Sequence, residues 1–467
     1  MGSATGFLDT IRIENPWRDE AERLCDFEDL HMWQDEEARH AQASRCMNCG
    51  VPFCQSDFGY PLHNLIPEWN DLLYRGLERE ALERLLQTAP FPEFTGHVCP
   101  ALCEKACNLE NDGVTNRDNE LYLIETGFAK GWIRPRLPLE RTGERIAVIG
   151  SGPSGLAAAD LLNRMGHSVT VIEKADRPGG LLTYGIPNMK LPKSIVERRI
   201  RLMEEEGVRF DLNREAIPEE LQGFDAILLC GGARKPRALN VEHADAQGVL
   251  YAVDYLTAAT KAVLTGGINP CTAKGKHVIV VGGGDTGNDC VGTALRQGCL
   301  SVTQLEMMPA PPEERTGSNP WPEWPRVLRT DYGQLEAIFR QGADPRVYET
   351  TVKSIRTDTA GYITGIETVQ LRRTPEGRFE QVPGTEKELP CELLLIAAGF
   401  VGCEGKTLER FALQADGRGR LMPEDGNHHL SGRLFSAGDM RTGQSLVVRA
   451  LADGRIAGRE IDSWLKS

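Results

Sequence analysis

The spacing of apolar and polar residues changes character once along the chain, near residue 145. Before it, residues 20–30, 35–46 and 68–86 carry apolar side chains at helical intervals with charges between them, the pattern of helices that bury one face. The stretch Arg134-Pro-Arg-Leu-Pro-Leu-Glu-Arg-Thr-Gly143 is rich in proline and arginine and predicts an exposed linker. After it come short apolar runs that alternate with helical segments. Ile146-Ala-Val-Ile149 reads as a buried strand, followed by a glycine-rich turn and a helix, a strand over 168–173, and a strand over 224–230 that ends in Gly231-Gly232. A second unit of the same kind starts with a strand over 278–281, a glycine-rich turn, a helix and a strand over 301–306. Strands over 393–398 and 434–438 and a helix from about 443 to 464 close the chain. Strands alternating with helices predict a parallel α/β sheet, here started twice behind an all-α N-terminal segment.

Both glycine-rich turns carry chemistry. Gly150-Ser-Gly152-Pro-Ser-Gly155 follows a strand and opens a helix. The first glycine permits the tight turn, the second lets backbone approach a pyrophosphate, and the third lets the helix pack close to the strand. Glu173 ends the next strand, 23 residues after Gly150, where an acid accepts from a ribose hydroxyl. FAD is the dinucleotide favoured here. Arg177-Pro-Gly-Gly180 offers a second approach to the pyrophosphate, and Gly438-Asp439 with Gln444-Ser445 at the start of the last helix suits the ribityl chain and the flavin N1/O2 side. Gly282-Gly-Gly284-Asp285-Thr286-Gly287 repeats the device, with Glu306 24 residues beyond Gly282, and is the expected seat of NADPH or NADH. Glu306 suits a free 2′-hydroxyl, while Arg315 or Arg296 would offset it toward a 2′-phosphate, so the choice stays open.

Composition narrows the partners. With 467 residues, 53 Lys and Arg and 67 Asp and Glu, the chain has a formal charge of -14, which repels phosphate backbones and anionic lipid. The first twenty residues hold no apolar core of a signal segment, and no run of ~18 apolar residues occurs. The expectation is a cytoplasmic protein with no nucleic-acid or membrane partner. Thirteen cysteines are present, and six form two tight groups, Cys46-x2-Cys49-x4-Cys54 and Cys99-x3-Cys103-x3-Cys107. Such spacing favours [4Fe–4S] ligation over zinc, whose structural sites usually show two CxxC or Cys/His pairs. Cys25 stands apart before them, and the other six, Cys230, Cys271, Cys290, Cys299, Cys391 and Cys403, are scattered singly and read as small core residues.

Five segments together carry a resemblance: Arg45-Cys-Met-Asn-Cys-Gly-Val-Pro-Phe-Cys54, Asn64-Leu-Ile-Pro-Glu-Trp-Asn70, Cys99-Pro-Ala-Leu-Cys-Glu-Lys-Ala-Cys107, Tyr184-Gly-Ile-Pro187 and Gly438-Asp-Met-Arg-Thr-Gly-Gln-Ser-Leu-Val447. The chain resembles the small (β) subunit of glutamate synthase over essentially its full length, and the N-terminal half of dihydropyrimidine dehydrogenase looks like the same arrangement. The resemblance implies a relay from NAD(P)H to FAD to iron–sulfur, feeding a large (α) subunit that makes glutamate from glutamine and 2-oxoglutarate. It implies one cluster on Cys46, Cys49, Cys54 and Cys107, a second on position 60, Cys99, Cys103 and Glu120, and Tyr184 near the flavin. Position 60 is Tyr60 where the pattern has cysteine, which leaves the second cluster open. A stand-alone or differently partnered oxidoreductase with the same module is the alternative.

The expected architecture is a helical iron–sulfur domain over 1–143, then two Rossmann-like domains, the second inserted in the first. The FAD domain would occupy 144–260 and 392–467, and the NAD(P)H domain 261–391. No side chain is expected to act catalytically beyond positioning the cofactors.

Overall fold

The computed structural model describes residues 3, 5–423 and 425–467. Its first sheet has six strands, in the order His429–Ser431, Leu434–Ser436, Ala226–Leu229, Arg145–Ile149, Ser168–Ile172 and Arg209–Asp211. All neighbours run parallel except the outermost pair, His429–Ser431 with Leu434–Ser436. The central strands are continuously apolar because helices cover both faces. The second sheet is wholly parallel, in the order Val249–Tyr251, Leu393–Ile396, His277–Val281, Ser301–Leu305 and Arg346–Val347. An antiparallel sheet of Thr350–Thr357, Ile363–Arg373, Phe379–Gln381 and Lys387–Pro390 leads back into it.

The second unit is inserted in the first. The outgoing and returning chains pair as Lys235–Pro236 with Phe400–Gly402. The crossings therefore fall at these residues, and the boundaries expected at 260 and 391 are displaced. The strand Val249–Tyr251, the helix Ala252–Thr265 and the strand Leu393–Ile396 all belong to the second unit. A buried apolar strand reads alike whichever parallel sheet receives it.

The N-terminal head is helical but more broken than the spacing predicts. Residues 68–86 form two helices, Ile66–Tyr74 and Glu78–Leu85, split at Gly76 with φ +70. Only Glu20–Arg23 of residues 20–30 is helical. The rest turns at Leu24 and Cys25 and then runs irregularly against the first α/β unit, where Leu30 N–H bonds Met189 O at 3.0 Å and Asn188 donates to Phe27 O at 2.8 Å. The head core packs Trp69, Leu73, Leu82 and Leu121 with Val448 of the last helix. A buried ion pair, Glu93 with Arg199, also ties the head to the first α/β unit.

The last helix, Val447–Leu465, sets the geometry of the site. It crosses Pro153–Arg164 so closely that a Cβ at Gly454 would lie 2.1 Å from Ser154 O. That approach brings the segment 439–447 over the first glycine turn.

Candidate active site

Backbone sterics shape the two glycine turns in the same way. Gly150 has φ +102 and Gly282 φ +127, a region costly for any residue with a Cβ. A Cβ at Gly150 would meet Cys230 O at 2.6 Å, and one at Gly282 would meet Ala397 O at 2.3 Å. Gly155 and Gly287 sit under their helices, where a Cβ would lie 2.1 Å from Gly150 O and 2.2 Å from Gly282 O. By contrast, Gly152 and Gly284 have no protein atom within 4 Å of an added Cβ. These two positions begin the helices Pro153–Arg164 and Asp285–Arg296, and neither helix has a side-chain cap. Two twelve-residue helices thus present unpaired N–H groups beside bare backbone, which suits a pyrophosphate.

The two acids act alike as well. Glu173 Oε2 accepts from Ser151 N–H at 2.9 Å and its Oε1 accepts from Ala175 N–H at 2.9 Å. Glu306 Oε2 accepts from Gly283 N–H and its Oε1 from Met308 N–H, both at 2.8 Å. Each carboxylate braces its own turn and keeps acceptor capacity for a ribose hydroxyl.

Both turns open onto one cleft of about 1200 Å³. Of the residues expected to bind cofactor, Gly150, Gly152, Glu173, Gly180, Gly282, Gly284, Asp285, Thr286, Glu306, Asp439, Gln444 and Ser445 line it. Gly180 has φ +56 and abuts the first turn, where its Cβ would lie 2.9 Å from Gly152 Cα. Asp439 accepts from Ser445 Oγ at 2.8 Å, and burial pushes its carboxyl up to about 6. Gln444 accepts from Phe400 N–H at 2.9 Å, joining the last segment to the returning crossover.

Four expected residues do not line the cleft. Gly155 and Gly287 support the turns from below. Gly438 packs on Ser154, and its N–H bonds Asp453 at 2.6 Å. Tyr184 is buried, and its hydroxyl donates to Asp176 at 2.9 Å. The arginines considered for a 2′-phosphate are also committed. Arg296 is buried against Glu336, and Arg315 donates to Glu323 O at 2.7 Å. The sequence reading missed Ala397–Phe400 and Arg234, which line the cleft beside the turns. Their signal was position, at or just beyond the carboxyl ends of parallel strands, where α/β sheets bind ligands.

The first thiol set closes into a cage. Cys46, Cys49, Cys54 and Cys107 surround a small cavity walled by Ile66, Pro67 and Val114. Among the described residues no three cysteine sulfurs lie within 4.8 Å of one another. A single zinc needs sulfurs about 3.8 Å apart, from Zn–S bonds of roughly 2.3 Å, closer than any three of these stand. Burial, with Cys107 and Cys49 beside it, pushes the Cys46 thiol up to about 12. Four thiolates there call for a cationic centre. Trp321 of the second unit donates to Cys107 O at 3.0 Å and ties that unit to the cage loop.

The second set is built differently. Cys99 and Cys103 are buried, and the buried Tyr60 and Glu120 lie beside them. The Tyr60 hydroxyl donates to Glu120 Oε1 at 3.1 Å and lies 3.3 Å from Thr95 Oγ1. Thr95 donates to the same carboxyl oxygen, and burial pushes Glu120 up to about 8.

Residues 144–454 match the pyridine nucleotide-disulphide oxidoreductase family, and residues 23–132 match the dihydropyrimidine dehydrogenase domain II, 4Fe-4S cluster, family. The fold and site therefore define an NAD(P)H-dependent oxidoreductase of the pyridine nucleotide-disulphide class with a helical 4Fe-4S head. Mycobacterium tuberculosis FprA in complex with NADPH shares the α/β fold, with a TM-score of 0.52 at 18% identity over 69% of this chain and 84% of that one. The match narrows further. The chain is 47% identical to Glutamate synthase [NADPH] small chain of Bacillus subtilis, over 100% of this chain and 99% of that protein. It is 44% identical to Glutamate synthase [NADH] of Schizosaccharomyces pombe, over 98% of this chain and 22% of the yeast protein. The chain belongs to the glutamate synthase small-chain family. Among the described residues no helix is long and apolar enough to cross a membrane.

Proposed function

We propose that this chain oxidises NAD(P)H for a glutamate synthase large chain, holding FAD at the Gly150 turn, NAD(P)H at the Gly282 turn and one [4Fe–4S] cluster in the Cys46 cage. The carrying observation is the single cleft onto which both turns open, with the cage packed on the same body. When bound, a flavin supplies two-electron uptake and one-electron release, which is what couples a hydride donor to a cluster. The residues supply position. Gly152 and Gly284 admit the two pyrophosphates, and the free N–H groups of the helices behind them bear the charge. Glu173 and Glu306 accept from the riboses, and Asp439 with Ser445 faces the ribityl hydroxyls. The N-terminus of Val447–Leu465 favours negative charge on the adjacent ring edge. Cys46, Cys49, Cys54 and Cys107 ligate iron as thiolates. No side chain in the cleft is required as an acid or base.

A large partner chain is supported by the small-chain relatives and by the yeast protein, in which the equivalent of this chain is about a fifth of a longer polypeptide. All thirteen cysteines are free, which supports a reducing compartment such as the cytoplasm. The test is anaerobic titration of the purified protein with NADPH and with NADH, following flavin bleaching, and then addition of the large chain with glutamine and 2-oxoglutarate. Bleaching by at least one nucleotide, and glutamate formed only with the large chain present, is expected. Absence of bleaching refutes the relay. Efficient reduction of a physiological acceptor by the isolated chain refutes the subunit role.

A further inference from the structure

The second thiol set is closed by protein. Tyr60 is 3% exposed and Glu120 2%, and with Thr95 they form the hydrogen-bonded triad described above. The loop before Tyr60 holds its ring inward. Tyr60 N–H bonds Cys54 O at 2.9 Å, and at Gly59 a Cβ would lie 2.3 Å from the same Cys54 O, so the turn has no slack. To admit a cube the ring would have to leave, breaking the Tyr60–Glu120 bond and opening a void among buried residues. What remained would be two thiolates and one carboxyl oxygen, against the four sulfurs a [4Fe–4S] centre ordinarily takes. The first cage differs in its donors, because there four thiols surround one small cavity and no other side chain stands in a ligand's place.

We infer that the Tyr60–Thr95–Glu120 triad replaces a second iron–sulfur centre, so that this chain carries one [4Fe–4S] cluster and not two. The inference rests on reading the Cys46 cage as the cluster site. The triad has a place in the relay as well. Tyr60, Cys99 and Cys103 share one core with Cys54 of the cage and with Val448, in the first turn of the helix over the flavin cradle. Electrons leaving the cradle for the cage therefore cross packed side chains, with no metal station at this position.

The test is a count of iron and acid-labile sulfide per FAD on anaerobically purified holoprotein, with flavin bleaching by NAD(P)H read on the same sample. About four irons and four sulfides per FAD are expected. Cys103→Ser should keep them, and Cys46→Ser should lose nearly all. A wild-type count of about seven or eight overturns the inference, as does a loss of three or four irons in Cys103→Ser. A count near zero overturns the cage reading on which it rests. Bleaching is independent of these counts, so a failed inference and a failed relay give different results.

Discussion

Asp439 offers a test in which stability and function move in opposite directions. Burial pushes its carboxyl up to about 6, Asp453 adds to this, and the hydrogen bond from Ser445 opposes it. An unfolded Asp titrates near 3.9, and each tenfold change in proton affinity is about 1.4 kcal/mol, so the buried charge costs the flavin-free protein about 3 kcal/mol. The sign follows from proton binding. Between about pH 4 and 6 the folded state holds the proton and the unfolded state does not, so stability falls as pH rises through that window. Above it the full penalty stands, and below it there is none. Asp439→Asn removes the charge and keeps an acceptor for Ser445. Urea unfolding of the apoproteins should find the variant more stable by about 2–3 kcal/mol near pH 7.5, with the gap closing below about pH 4. Flavin affinity should fall in the same variant. Losing a carboxylate-to-hydroxyl bond of roughly 1.5–3 kcal/mol weakens binding about 10- to 100-fold, read by flavin fluorescence on titration. Equal apoprotein stabilities near neutral pH, or a gap that persists in acid, would refute the buried-charge penalty, and unchanged FAD affinity would refute the assignment of Asp439 to the flavin.

The glycines separate cradle from scaffold. A Cβ at Gly152 meets no protein atom within 4 Å, so Gly152→Ala should fold with near wild-type thermal stability and lose FAD affinity. Gly155→Val collides with Gly150 O and should lose about 1–3 kcal/mol or more as well as FAD; calorimetry with flavin content checks both. Gly284→Val should keep FAD and abolish bleaching by NAD(P)H, measured anaerobically. Glu93→Ala strands the buried Arg199 charge and should cost about 3–5 kcal/mol, seen as a lower unfolding midpoint and faster proteolysis between head and flavin unit.

Local chemistry was legible in the linear chain because local backbone geometry dictates it. Gly150 and Gly282 each follow a buried strand and precede a helix, and their positive φ angles are the conformations that glycine alone adopts cheaply. Glu173 and Glu306 end the next strands, so spacing by itself set them beside the turns. Three of the cage thiols, Cys46, Cys49 and Cys54, were marked by their grouping, while Cys107 sits in the other group and reaches the cage only in the fold. Tertiary packing decided the rest. Leu393–Ile396 joined the second sheet and Leu434–Ser436 the first, although both are short apolar strands, because pairing depends on which edge lies nearby once the crossovers form. Arg296 and Arg315 were drawn away from the cleft by Glu336 and Glu323, and Tyr184 by Asp176. Tyr60 is the plainest instance. In the chain it is a missing cysteine, and only the fold shows that its hydroxyl meets Thr95 and Glu120, 35 and 60 residues away. Spacing rules reach across a turn or a strand, while a buried hydrogen bond between distant segments exists only after the core has closed around it.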